Sequence, residues 1–230
     1  MNKLISKVDV TYLPKFTKET ILDDINLDDL NQGYKFARDN NARAFCTFHF
    51  LVPFIEAENY TTTIASVIDF PDGDRSSEEK VFMAGQAYEI GKKASCSEID
   101  VVLCSSHSAA IEDMLSMEIA NVPDLMVLKY IIELGIRPEK DIINLLKFFD
   151  VEVQKDSVMH CDYIKTNTGR HNNPTFKEKL EQVEWLRNYT NLPLKIAGGI
   201  KSWKEIEDYE DKIVGDKIYG VSFDKIKDWK

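Results

Sequence analysis

Two lysines stand in short apolar runs that end in polar or glycine-rich turns: Lys165 in YIKTNTGR (163–170) and Lys195 in LPLKIAGGI (192–200). Free lysine, with a pKa of about 10.4, is neutral in roughly one molecule in 2,500 at pH 7, so a nucleophilic lysine needs that value lowered. A drop of about three units corresponds to about 4 kcal/mol in favour of the neutral amine, and burial and a neighbouring cation both push that way. If the two lysines occupy adjacent strands, roughly 5 Å apart, each disfavours the charge of the other, and one becomes an amine able to attack a carbonyl. The protonated imine that results is an electron sink, so a neighbouring C–C bond can break or form through an enamine. Such chemistry also needs a proton carrier. Asp100, a carboxylate in the otherwise apolar stretch that follows Glu98, is the candidate.

A second set of residues suits an anion. Gly169, Gly198 and Gly199 at run ends, and Gly220 before Ser222, would let backbone N–H groups approach a phosphate, helped by a helix start near Ser202 and by the cation of Arg170. This signal is the weaker one, because glycine in a strand-to-helix turn serves the backbone first.

Positioning these residues requires strands that end at one place. Eight apolar runs, at 7–13, 42–48, 62–70, 98–105, 125–134, 161–167, 193–199 and 216–222, alternate with amphipathic segments along the chain. Several are apolar on both faces, as parallel strands covered by helices are. Helix signals fall between them: Ser76 with Glu79 and Ser202 with Glu205 form capping-box patterns, Pro138 suits a first helical position, and Phe176, Leu180, Val183 and Leu186 follow helical spacing. The pattern predicts a (β/α)8 barrel as a single domain over 1–230, whose chemistry belongs at the C-terminal strand ends. An open doubly wound sheet is the alternative, and no GxGxxG or GxxxxGK[ST] follows an early strand to support it.

Composition narrows the partners. A net charge of -10 over 230 residues argues against a surface that follows nucleic acid, while leaving room for a local cationic pocket. There is no apolar run of membrane-spanning length, and the first residues have no signal-peptide pattern, so a cytoplasmic location is expected. Cys46, Cys96, Cys104 and Cys161 lie far apart without CxxC, and His49, His107, His160 and His171 share no metal-ligand spacing. No metal is expected. The acidic pairs Asp23–Asp24 and Asp28–Asp29 read as solvated helix surface, the triplets at Asn59 and Asn188 carry no weight as glycosylation sites, and Trp185, Trp203 and Trp229 read as packing or interface residues.

The residues resemble those of the deoxyribose-phosphate aldolases, class I aldolases built on a (β/α)8 barrel. The resemblance runs in order through VDVTYL with Asp9 and Thr11, FCTF around Cys46, DFPDG with Lys80 downstream, EIDVV, LKYIIELG, YIKTNTG, LKIAGGI and IYGVS. It implies that Lys165 forms the Schiff base, that Lys195 perturbs its pKa, and that Asp100 relays protons with Lys195 and a water. It further implies a sugar-phosphate substrate with no metal or organic cofactor. Gly169, Gly198, Gly199, Gly220, Ser222 and Arg170 match the phosphate-binding positions, with Thr168 close by. Asp9 and Cys46 match positions near the substrate, and Cys46 reads more simply as a small buried hydrophobe lining the pocket. Three positions depart from the family: Val10, Cys104 and Phe223. They leave the imine chemistry intact and bear on substrate fit, which keeps open a different aldehyde or sugar phosphate, or a silent sugar-phosphate-binding barrel. A homodimer is compatible with a barrel of this size, and no apolar stripe marks its interface.

Overall fold

Runs rich in valine, isoleucine, tyrosine and phenylalanine form eight strands, as expected of side chains that pack well on a pleated surface. They are β1 Val8–Thr11, β2 Ala44–Phe48, β3 Thr63–Ile68, β4 Cys96–Val102, β5 Val127–Ile131, β6 Tyr163–Lys165, β7 Leu194–Ala197 and β8 Lys217–Ser222. In the computed structural model, which describes residues 2–15, 25–57, 60–94, 96–149, 160–171 and 174–229, these strands close into one barrel in sequence order. Every neighbouring pair is parallel, and β8 closes on β1 with Gly220 beside Asp9. The sequence expectation of a (β/α)8 barrel holds, and the open sheet does not.

Helices α1 (Leu27–Asp39), α2 (Ser77–Ala94), α3 (His107–Ile119), α4 (Glu139–Leu146), α5 (Phe176–Arg187), α6 (Trp203–Lys212) and α7 (Phe223–Ile226) surround the barrel. Between β2 and β3 the described residues form a 3-10 segment, His49–Phe54, in place of a full helix. The Ser76–Glu79 box caps α2 reciprocally, with the Glu79 amide donating to Ser76 Oγ at 3.3 Å and the Ser76 amide donating to Glu79 at 3.1 Å. Ser202 caps α6 through the Glu205 amide. There the box expected from the spacing is one-sided, because the Glu205 carboxylate accepts the Lys201 amide instead, and the second reciprocal box is Thr175 with Glu178, on α5. Pro138 stands one position before α4, because its ψ of 138° is extended and helical dihedrals begin at Glu139. Asp28 and Asp29 occupy the first turn of α1, where carboxylates complement the helix dipole. Asp23, Asp24 and Asn59 lie outside the described residues.

The apolar core lies between sheet and helices. Alternate strand residues, among them Val8, Phe45, Ile99, Tyr130, Ile164, Leu194 and Val221, bury their side chains there. The other face lines the lumen. On β2 and β3 that face is apolar, with Cys46, Ala65 and Val67 forming a separate small cluster. On β1, β4, β5, β6 and β7 it carries Asp9, Glu98, Asp100, Lys129, Lys165 and Lys195, all buried, so runs expected to be apolar on both faces are apolar on one.

Candidate active site

Because strand side chains alternate, Glu98 and Asp100 share one face of β4, and the strand register sets Asp100 beside Lys129 and Lys165 beside Lys195. These side chains form a closed ring of alternating charge. Arg43, just before β2, donates to both oxygens of Asp9 at 2.5 and 2.8 Å and to both of Glu98 at 2.9 and 2.6 Å. Asp9 pairs with Lys195 Nζ at 2.6 Å, and Lys195 donates to Asp100 Oδ2 at 2.6 Å. On the other arc Glu98 accepts from Lys129 Nζ at 2.6 Å, and Lys129 donates to Asp100 Oδ1 at 3.0 Å. The ring thus holds Arg43, Lys129 and Lys195 against Asp9, Glu98 and Asp100. Lys165 is the pendant group: its Nζ donates to Asp100 Oδ2 at 2.9 Å, the oxygen that Lys195 also holds.

Burial opposes the charge of every member, and the partners overcome it. Asp9 is driven up by burial and then brought down to about 2 by Lys195 and Arg43. Asp100 lies well below the ordinary carboxylate value, because Lys129, Lys165 and Lys195 outweigh its burial. Glu98 is lowered by Lys129 and Arg43 against the same penalty. Burial pulls Lys195 down, and Asp100 and then Asp9 hold it above the ordinary lysine value. Lys129 is raised too, by Asp100 and Glu98 against burial and Lys195. The ring is neutral when its members carry these charges. A proton on Lys165 would then be one more cation than the carboxylates match.

Above the ring a cavity of about 490 Å³ opens at the C-terminal strand ends. Lys165, Thr168, Gly169, Arg170, Gly198, Gly199, Gly220 and Ser222 line it, with Lys201, Lys225 and Phe70. Two glycines allow the β6 and β7 loops to meet here. Gly169 (φ +77°) and Gly198 (φ +95°) both adopt left-handed backbone, and a Cβ on Gly169 would lie 2.8 Å from the Gly198 Cα. Lys179 of α5 fastens the second loop by donating to the Gly199 carbonyl at 2.7 Å. Glu133 does the same for the first, its carboxylate accepting the Thr168 amide. Arg170 reaches across the mouth, donating to the Leu13 carbonyl at 2.6 Å with its guanidinium 5.6 Å from the Phe70 ring centre.

No family model matches the sequence, and a search of curated proteins returns no match. Solved structures do match. "QR15, an Aldolase" superposes with a TM-score of 0.75 at 19% identity, covering 96% of this chain and 92% of the other. The deoxyribose phosphate aldolase from Aeropyrum pernix, described as a unique tetrameric structure, gives 0.69 at 20% identity over 95% and 86%. The fold is that of these aldolases. A Schiff-base-forming fructose-1,6-bisphosphate aldolase shares the barrel more distantly, with a TM-score of 0.52 at 10% identity over 94% and 86% of the chains.

Within this aldolase fold the structure divides the sequence candidates into two levels. Lys165 and the residues named for an anion line the cavity, whereas Asp9, Cys46, Asp100 and Lys195 lie beneath it, fully buried. Cys46 Sγ is 3.8 Å from Asp100 Oδ2 and 4.0 Å from Lys195 Nζ, and burial raises its thiol pKa. Phe223 turns into the core against Phe36, away from the cavity. Trp203 and Trp229 pack edge to face at 5.2 Å. Among the described residues no helix is long and apolar enough to cross a membrane, and no group of three or more His, Cys, Asp or Glu side chains is placed to hold a metal ion.

The sequence pattern assigns no role to Arg43, Lys129 or the carboxylate of Glu98, nor to the cavity cations Lys201 and Lys225. The signal for Glu98 was present: two residues before Asp100 in a strand is the same face. Arg43 carried no such mark.

Proposed function

We propose that the protein belongs to the deoxyribose-phosphate aldolase family and cleaves 2-deoxy-D-ribose 5-phosphate reversibly to D-glyceraldehyde 3-phosphate and acetaldehyde. The observation that carries this reading is the pendant amine of Lys165, hydrogen-bonded to a charge ring that is neutral without it and open to a cavity with anion-binding features. A lysine must be neutral to attack a carbonyl, and the ring needs no charge from Lys165 for its own balance.

The neutral Lys165 nitrogen attacks the aldehyde carbon of the open-chain sugar, forming the N–C bond while the carbonyl electron pair moves to oxygen. That oxygen takes two protons, one from the attacking nitrogen and one from solvent, and leaves as water, giving the protonated imine. The C2–C3 bond then breaks: its electron pair moves toward the imine, and the C3 hydroxyl loses its proton as that carbon becomes the aldehyde of glyceraldehyde 3-phosphate. Protonation of the remaining enamine at carbon and hydrolysis release acetaldehyde and the free amine. Asp100 is held ionised, so it serves as the acceptor through which protons pass between Lys195 and the reacting groups, rather than as a store for a proton. At the far end of the substrate, the Gly169, Gly198 and Gly199 loops with Lys201 and Arg170 would receive the phosphate.

The test is borohydride reduction in the presence of deoxyribose 5-phosphate, followed by mass spectrometry. The expected product is a stable adduct on Lys165. Ligand binding without an adduct would favour a silent sugar-phosphate-binding barrel instead, and an adduct formed only with other aldehydes would reassign the substrate.

A further inference from the structure

Arg43 never meets the cavity. It stands at the other end of the barrel, before the first residue of β2, where its amide donates to the Val8 carbonyl. Its side chain is 19% exposed, while the other five ring members are at most 8% exposed. Among the described residues it is the group that bridges both arcs of the ring at that end, through four hydrogen bonds to Asp9 and Glu98.

We propose that Arg43 is a positioning residue that sets the charge state of the Lys165 amine: it supplies the third cation for three buried carboxylates, so that Lys165 is the group left to lose its proton. The proposal rests on the reading of Lys165 as the imine-forming amine. Without Arg43, two cations face three carboxylates, and the proton on Lys165 becomes the one that balances them. A unit charge about 10 Å away, acting through an effective dielectric of about 20, moves a titration by about one pH unit.

The other groups that face this amine do not remove the effect. Asp100 and Lys129 approach from β4 and β5, Lys195 from β7, Asp9 from β1 and the Cys46 thiol from β2. β3 holds no charged residue, and Lys217, the charged residue of β8, lies 3.9 Å from Glu210. Across the cavity stand Arg170, Lys201, Asp224 and Lys225, on a solvent-accessible rim where charges are screened.

The decisive measurement is the rate at which acetic anhydride acetylates Lys165, followed by mass spectrometry across a pH series. The neutral nitrogen attacks the anhydride carbonyl, acetate leaves and the ammonium proton is released, so the rate reports the protonation of Lys165 whether or not the protein cleaves a sugar. Arg43→Met should move the profile up by about one pH unit, Glu98→Gln should move it down by about one, and the double variant should return it near the wild-type position. Arg43→Lys, which keeps the charge and loses the fork, should hold the wild-type profile.

A loss of packing alone would not give shifts of opposite sign that cancel. Profiles that stay put, or that move the same way in both single variants, overturn the proposal. Should Arg43→Met fail to fold, Glu98→Gln decides by itself, and an unmoved or upward profile is fatal. Borohydride trapping on the same proteins separates the two readings. Shifted profiles without any sugar adduct would leave the ring's role standing and remove the aldolase assignment, and adducts with unmoved profiles would do the reverse.

Discussion

Lys80 and Lys165 are both buried, both hydrogen-bonded to an aspartate, and set in surroundings of opposite consequence. Lys80, in α2, donates to Asp113 at 2.6 Å and to the Gly73 carbonyl at 3.0 Å, and lies 3.5 Å from Asp69. Three acceptors meet its three N–H groups. Asp113 in turn accepts from the Ser77 hydroxyl and the Cys104 amide, so the cluster fastens α2, α3 and the loop after β3. Lys165 has one acceptor among the described residues, an oxygen it shares with Lys195, and its amine borders a cavity. A buried lysine with a full set of acceptors is a structural ammonium. One with a shared acceptor, a neutral surrounding and open space has the makings of a nucleophile.

Exchanging the two roles by mutation breaks the comparison most directly. Lys165→Ala should abolish the reducible adduct while leaving the melting temperature close to wild type, because the ring is neutral without that residue; a surviving adduct on another lysine would refute the assignment. Lys80→Met should do the converse. Stranding Asp113 without its cation should cost about 3–5 kcal/mol in denaturant unfolding, with the pH profile of adduct formation unchanged.

Lys195→Leu probes how strongly the ring governs its pendant amine. With one cation gone from the atom that both lysines share, adduct formation should shift to higher pH by about two units, read as trapping rate against pH. An unmoved profile would detach Lys165 from the ring.

The smallest effect distinguishes the clusters by their carboxylates. Asp9 is held at about 2 by Lys195 and Arg43 against its burial, whereas burial raises Asp69 despite the Arg75 amide and Lys80. Carboxyl carbon NMR should find the two midpoints on opposite sides of the ordinary aspartate value of 3.8. Since the folded value of Asp9 lies below its unfolded one, its contribution of about 2 kcal/mol is present above about pH 4 and fades as pH falls toward 2. An Asp9 midpoint near 4 would contradict the ring.

Legibility differed between these features for physical reasons. Lys165 and Lys195 were visible because each is a charged residue inside an apolar run, and the glycines because they follow such runs. Glu98 could have been read from the alternation that it shares with Asp100, yet it stands at a run's start, where a carboxylate ordinarily meets solvent. Arg43 gave no local sign, since a cation before a strand is common and its partners lie 34 and 55 positions away. Lys80 resisted a different way: a lysine in a helix after a capping box looks exposed, and only packing of α2 against α3 and the β3 loop buries it.

The sequence by itself determined the number and order of the strands, the caps of several helices, and which residues share a strand face, because periodicity and capping are local and act within a few residues. Closure decided the rest. Joining β8 to β1 sets Asp9 against Lys195 and lets Arg43 reach across to Glu98. A charge buried in a lumen is tolerated only where opposite charges from several strands converge on it, and that convergence exists only in three dimensions.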